Sequence, residues 1–114
     1  MARKLNELQQ NEYIARVIKM GEKRNGRPSR EEWQTIYSLV EEFCPKFLEF
    51  KNKISVSEYQ ICILLKLGCK SPDIGYLTGL NSNNRCVIRT RLNMKIFNTN
   101  EGGTSMFDKR IREL

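Results

Sequence analysis

Four basic side chains between residues 85 and 95 form the part of the sequence whose chemistry is easiest to assign. They are Arg85, Arg89, Arg91 and Lys95. No acidic residue occurs between Asp73 and Glu101, so nothing in this stretch would repel an anion. Because basic side chains gain affinity for phosphates by releasing counterions, the pattern predicts a surface for a phosphate-bearing partner. A solvated charged face is the alternative interpretation.

The composition of the whole chain also favours an anionic partner. The 114 residues carry a formal net charge of +7, and the pI is about 9.4. Nucleic acid and a membrane surface are the two candidate partners for such a charge. No apolar run is long enough to span a membrane, and no signal peptide is evident. We therefore expect a cytoplasmic protein without a membrane partner.

Other kinds of chemistry have little support in the sequence. There is no histidine, no glycine-rich phosphate loop and no pair of carboxylates in an apolar setting, so we expect neither an enzyme nor a bound cofactor. The cysteines form no CxxC pair, which argues against a metal site. We expect them to be reduced and to act as small apolar residues. They are Cys44, Cys62, Cys69 and Cys86.

The basic residues belong to a longer region, residues 55–97, in which three helix start signals follow one another. Ser55 and Glu58 have the spacing of a capping box, which opens the first helix. A second, short helix opens at Ser71 with a proline next to it and ends at Gly79.

The third helix of this region is predicted over residues 83–97, with Asn81 as its cap. Its apolar residues repeat every four positions and define the buried face: Ile88, Leu92 and Ile96. Two short helices, a turn with glycine and a longer basic helix are the parts of a helix-turn-helix.

The flanking segments predict further helices. Residues 1–28 read as a polar helix up to about residue 26, with Leu5 and Leu8 on a partial apolar stripe and a loop-like basic run at 21–28. The basic side chains of this run are Lys23, Arg24 and Arg27, which could touch phosphates or be solvated.

Residues 29–114 read as a helical domain. It opens on a capping box at Ser29 and a helix to residue 43 whose apolar face includes Trp33, expected to be buried. A last helix is predicted over residues 105–114, capped by Ser105. Its apolar face either closes the core or meets a second copy of the chain: Phe107, Ile111 and Leu114. Strand patterns are absent, so the predicted fold is an all-α bundle of about five or six helices containing the helix-turn-helix.

An ordered set of residues resembles the LuxR-type (GerE/NarL-like) DNA-binding domain, as in the C-terminal output domain of large bacterial sensor regulators. The helix-turn-helix part of the pattern is Glu58, Ile61, Leu64, Leu65, Gly68, Ile74, Leu77, Leu80, Arg89, Arg91, Leu92, Lys95 and Ile96. Before it stand Trp33, Pro45 and Phe47; after it stand Gly102, Gly103, Phe107, Asp108, Ile111, Arg112 and Leu114. The resemblance covers roughly residues 30–114.

This resemblance implies a four-helix core without a wing, whose third helix enters the major groove of double-stranded DNA. It implies transcriptional control, with sensing done elsewhere in a longer polypeptide. It also implies pairing of two chains, which we expect to be weak or to occur only on DNA.

The expected DNA-binding residues fall into four groups. Arg89, Arg91 and Lys95 suit phosphates. Cys86, Val87 and Thr90 should point at the groove, with a core contact as the alternative for the first two.

Asn83 and Asn84 are expected to read adenine edges or bond phosphates, or else only to favour the helix N-terminus. Lys70 and Ser71 begin the second helix, where backbone N–H groups favour an anion.

Three positions depart from the family pattern. The family has Val or Ile in place of Arg85, Ala in place of Gly75 and Leu in place of Thr78. An arginine at position 85 must reach outward or find a partner. The groove-facing positions also lack the family's usual Lys or Arg, which affects base recognition more than phosphate binding.

Two other functions remain open. The departures favour a protein-interaction module that keeps the fold without specific DNA binding, whereas the absence of acidic residues from 74 to 100 favours DNA. A sigma-factor-like promoter module uses the same helix-turn-helix, but it would need a polymerase-binding surface, and none is evident in the sequence.

Overall fold

Seven α-helices follow one another in a computed structural model of the chain, which describes residues 7–114. They are α1 (Glu12–Lys23), α2 (Arg30–Phe43), α3 (Lys46–Lys51), α4 (Val56–Lys66), α5 (Ser71–Thr78), α6 (Ser82–Phe97) and α7 (Gly103–Arg112). Residues 7–9 are helical as well, and no strand occurs over the described range. The all-α prediction is confirmed. The helices outnumber the predicted five or six, partly because the short aromatic segment after Pro45 forms α3.

Helix α4 lies at the centre of the core. All of its residues from 58 to 66 except Gln60 are buried, and it packs against α5, α6 and α7. A helix that is apolar on every side has to be surrounded by other elements, which explains why the remaining helices wrap around it. The predicted capping box at its start is present: Ser55 Oγ accepts from Glu58 N–H, and Glu58 Oε1 accepts from Ser55 N–H.

An aromatic cluster joins α2 and α3 to α4. The Tyr37 and Tyr59 rings meet edge to face with their centroids 5.3 Å apart, and Phe47 lies 6.1 Å from Tyr59. Trp33 is buried beside Tyr37, as the apolar stripe of α2 predicts. The capping box predicted at Ser29 is also present. These ring contacts hold α2 and α3 against α4.

The N-terminal helix is shorter than predicted. Asn11 interrupts the predicted helix, because its side chain accepts from Tyr13 N–H at 2.9 Å and opens α1 at Glu12. The helix then runs to Lys23, so that Gly21 lies inside it and the connecting loop starts later than predicted. The first six residues of the predicted helix, Leu5 among them, lie outside the described residues.

The C-terminal helix was predicted two residues too late. It begins at Gly103 and ends at Arg112, and Ser105 lies inside it instead of capping it. Gly102 takes a left-handed conformation (φ +79°) at the N-cap position, which turns the chain into the helix earlier. The cap predicted at Ser105 was therefore wrong, because the glycine pair at 102–103 begins the helix two residues earlier.

The apolar face of α7 closes the core. Phe107 and Ile111 have no exposed surface, and the Phe107 ring packs edge to face on Phe97 of α6. Of the two alternatives that the sequence leaves open for this face, the structure shows closure of the core, because Phe107 and Ile111 are buried within one chain and Leu114 is partly buried.

Within residues 7–114, none of the helices combines the length and the apolar character that crossing a membrane requires.

The burial of Trp33 gives a test of this packing. Its side chain is only 8% exposed, so Trp33→Ala should lower the free energy of unfolding by about 3–5 kcal/mol, as large core truncations do. The matched control is Leu48→Ala, at a residue that is 52% exposed. This substitution should change the free energy of unfolding by less than about 0.5 kcal/mol. Urea unfolding followed by circular dichroism measures both. A loss below about 1 kcal/mol for Trp33→Ala would contradict the packing described here.

Candidate nucleic-acid interface

The basic helix predicted from the sequence is α6, and its inner side is firmly held. Leu92 is fully buried, and Ile88 and Ile96 are partly buried against the same core, as predicted. Asn93 is buried too, and its side chain accepts from Arg110 of α7 at 2.8 Å. Asn81 caps the helix by accepting from Asn84 N–H at 2.8 Å, which confirms the predicted cap.

Arg85 points into the protein and fastens the start of α6 to α5. Its guanidinium donates to the Leu80 carbonyl at 2.6 Å and to Ser71 Oγ at 3.4 Å. The residue is buried, and its Nε has no hydrogen-bond partner in the structure. Burial, together with the nearby charge of Arg89, lowers the pKa of Arg85. The arginine expected to reach outward or find a partner has thus found one in the turn between α5 and α6.

Gly75 makes the space that Arg85 occupies. A Cβ at this position would stand 2.7 Å from Cζ of Arg85, which is too close for the guanidinium to stay. Gly75 and Arg85 are therefore one structural feature, since the small residue on α5 and the large residue on α6 complement each other.

Arg89 is also directed at the protein. Its guanidinium forms an ion pair with Asp108 of α7 at 2.8 Å, and its side chain is only 15% exposed. Burial raises the pKa of Asp108, while Arg89 and Arg112 act in the opposite direction. Oδ1 of Asp108 and Nε of Arg89 are buried without a partner, so this ion pair is incompletely satisfied. Its position makes Arg89 a poor phosphate ligand.

Lys95 forms an ion pair too, but it stays accessible. Its ammonium lies 3.1 Å from Glu58 Oε2, and its side chain is 45% exposed. Burial alone would raise the pKa of Glu58, but the Ser55 N–H and Lys95 outweigh it, so the pKa lies below its ordinary value. Lys95 can reach a phosphate only by giving up part of this interaction.

The remaining residues of α6 form an exposed face, which we call the α6 outer face. Its members are Asn83, Asn84, Cys86, Val87, Thr90, Arg91 and Met94. Arg91 makes no ion pair with any residue from 7 to 114. Val87 is 48% and Met94 41% exposed, so the core contact considered for Val87 does not occur. The face therefore combines amides, apolar groups and one available guanidinium, without a carboxylate.

Lys70 and Ser71 mark the start of α5, as predicted, although Lys70 and not Ser71 is the N-cap residue. Both are exposed. Ser71 Oγ already accepts the hydrogen bond from Arg85, whereas Lys70 projects from the cap without a side-chain hydrogen bond to any described residue.

The basic loop after α1 is fastened to α5. Arg24 pairs with Asp73 at 2.7 Å, and Arg27 Nε donates to the Tyr76 carbonyl at the same distance. Both guanidinium groups lie near the Tyr76 ring, 5.3 and 4.9 Å from its centroid. These arginines hold the loop against the protein, and Lys23 remains exposed beside them.

A wide concavity lies elsewhere, between α1 and the start of α2. It is an open groove of about 830 Å³, with basic side chains on its α1 side: Arg16, Lys19 and Lys23. Its two carboxylates are Glu12 and Glu32, and Glu32 is engaged by the Ser29 capping box and by Arg16 at 3.3 Å. The side chains that line the groove therefore carry a net positive charge.

Sequence reasoning missed two residues of this region. Met94 follows Val87 by seven residues, so helical periodicity could have placed it on the outer face. In the sequence, Asp108 belongs to the cap signal that begins at Ser105 and to the C-terminal tail pattern, and neither predicts an ion pair. Nothing in its spacing revealed that it pairs with Arg89, since the pairing depends on how α7 folds back on α6.

The cysteines form no disulfide in the structure, and only Cys86 is exposed. Burial raises the pKa of Cys62 above its usual range and that of Cys69 to about 12, which keeps these two thiols protonated. Among residues 7–114, no group of His, Cys, Asp and Glu side chains is arranged to hold a metal ion.

Neither a protein-family model, nor a curated protein, nor a solved structure matches the chain.

The fit between Gly75 and Arg85 can be tested by a double-mutant cycle. Gly75→Ala should destabilise the protein although alanine favours helices, because the new Cβ displaces the guanidinium. In the Arg85→Val background the same change should be neutral or stabilising. The two substitutions should therefore couple by about 0.5–3 kcal/mol in urea unfolding. If Gly75→Ala stabilises both backgrounds equally, the guanidinium does not occupy this space.

Proposed function

We propose that the chain is the DNA-binding domain of a transcription regulator, in which α5 and α6 form a helix-turn-helix and α6 lies in the major groove. The observation that carries the proposal is the α6 outer face. It belongs to a 16-residue helix that has no carboxylate and is held on its other side by Leu92, Arg85 and Arg89. A major groove about 12 Å wide admits such a helix.

The electrostatics support this proposal. Two carboxylates that neighbour α6 are neutralised within the protein, since Glu58 pairs with Lys95 and Asp108 with Arg89. Arg91 and Lys70 are left to face phosphates. The net charge of +7 adds a long-range attraction that does not depend on base sequence.

A protein-interaction module is the second candidate function. The exposed side chains of Val87 and Met94 favour it, because apolar groups in the middle of a helix face also suit a protein groove. Selection of bound sequences from random duplex DNA distinguishes the two functions. An enriched motif supports the regulator, and uniform weak binding supports the interaction module.

The phosphate contact of Arg91 has a quantitative signature. Arg91→Ala should weaken binding to all duplexes and reduce the slope of log K against log salt by about one unit, because one fewer counterion is released. The matched control is Arg30→Ala, which removes the same charged group from the first turn of α2. Fluorescence anisotropy across a salt series measures both slopes. Equal slopes for the two variants would mean that Arg91 does not neutralise a phosphate.

A further inference from the structure

The internal pairing of α6 limits which bases the helix could read. Guanine is read most often by a free arginine or lysine that reaches its O6 and N7 atoms. Three of the four basic residues of α6 already have a partner within the protein, although Lys95 stays accessible. Arg85 donates to the Leu80 carbonyl, Arg89 pairs with Asp108, and Lys95 pairs with Glu58. Among these four, Arg91 alone could reach guanine without giving up an interaction with a described residue.

The other side chains of the outer face have a different chemistry. The side-chain amides of Asn83 and Asn84 form no hydrogen bond with any residue of the described range, and an asparagine amide matches the N6 and N7 atoms of adenine. Thr90 donates its hydroxyl to the Cys86 carbonyl at 2.9 Å, which leaves a methyl group and an acceptor oxygen. Val87 and Met94 offer only apolar surface, which matches the 5-methyl group of thymine.

The spacing of these side chains suits successive base pairs. At about 1.5 Å of rise per residue, Asn83 and Val87 lie about 6 Å apart along the helix axis. Neighbouring bases of one strand are about 3.4 Å apart, so the two side chains span about two steps. An amide and an apolar group at this distance can contact an adenine and a thymine that lie about two base steps apart.

We propose that α6 reads A·T base pairs, with Val87 against the 5-methyl group of a thymine and the amides of Asn83 and Asn84 toward adenine. This inference rests on the proposed function, because it assigns the bases that the outer face would meet. It differs from phosphate binding, which makes no distinction between sequences. The preference follows from chemistry alone: the face has two amides and two apolar side chains but one free guanidinium.

Four alternating duplexes of equal length test the proposal with the full chain. They are poly(dA-dT), poly(dA-dU), poly(dG-dC) and poly(dG-dC) with 5-methylcytosine. Uracil keeps the hydrogen-bonding edge of thymine and lacks only the methyl group. We expect the dA-dT duplex to bind most tightly, and loss of a contacted methyl group to weaken binding about fourfold, as burial of one such carbon implies.

A variant locates the methyl contact. Val87→Ala should reduce the preference for dA-dT over dA-dU and leave the salt slope unchanged, because Val87 carries no charge. Val56→Ala is the matched control, since Val56 is an exposed valine on α4, at 68% exposure. It should keep the full preference. Both sites are exposed, so neither substitution should affect folding.

The outcomes separate this inference from the function on which it rests. Equal binding to all four duplexes, or tighter binding to dG-dC, would overturn the A·T reading and leave DNA binding standing. Equal binding to dA-dT and dA-dU would overturn the methyl contact. Absence of binding to every duplex, even at low salt, would overturn the proposed function, and the inference with it.

Discussion

The placement of α6 depends on one buried guanidinium. Arg85 occupies the space left by Gly75 and donates to the Leu80 carbonyl, so one side chain joins α5, the turn and α6. Burying a charge is costly unless it finds hydrogen-bond partners, and the orientation in which α5 and α6 meet supplies them. The acceptors are the Leu80 carbonyl of the turn and Ser71 Oγ of α5. The polar contact therefore specifies an arrangement that apolar packing alone would fix less strictly.

In the same region, two carboxylates form ion pairs with basic side chains of α6. Buried and half-buried carboxylates, such as Asp108 and Glu58, are each matched by a cation from α6. These pairs hold α6 to α7 and α4, but they withdraw Arg89, and partly Lys95, from any external partner. The basic character of the α6 sequence thus overstates the charge that its surface presents. What remains outside is a mixed face whose selectivity would depend on shape and apolar contact as much as on charge.

Local signals in the sequence predicted most of the helical boundaries. The capping boxes at Ser29 and Ser55 and the cap at Asn81 are present, because a cap depends on residues only three positions apart. The predicted start of α7 was wrong, because the helix begins at a pair of glycines with positive φ and not at the cap predicted at Ser105. The inner face of α6 was predicted from its periodicity. The direction of Arg89 was not, because its partner lies on another helix, 19 residues further along the chain.

Gly21 of α1 brings the backbone of that helix against α5. A Cβ there would stand 2.9 Å from Cδ1 of Leu77 and 3.2 Å from Cβ of Asp73, so these side chains of α5 pack directly on the backbone of α1. Arg24 and Arg27 then hold the following loop over Tyr76. Elements packed this closely open together when a protein fluctuates locally. The amide hydrogens of α1 and α5 should therefore exchange with solvent as one cooperative unit. A local opening of α1 would then expose α5 as well, which is the helix that packs against the start of α6.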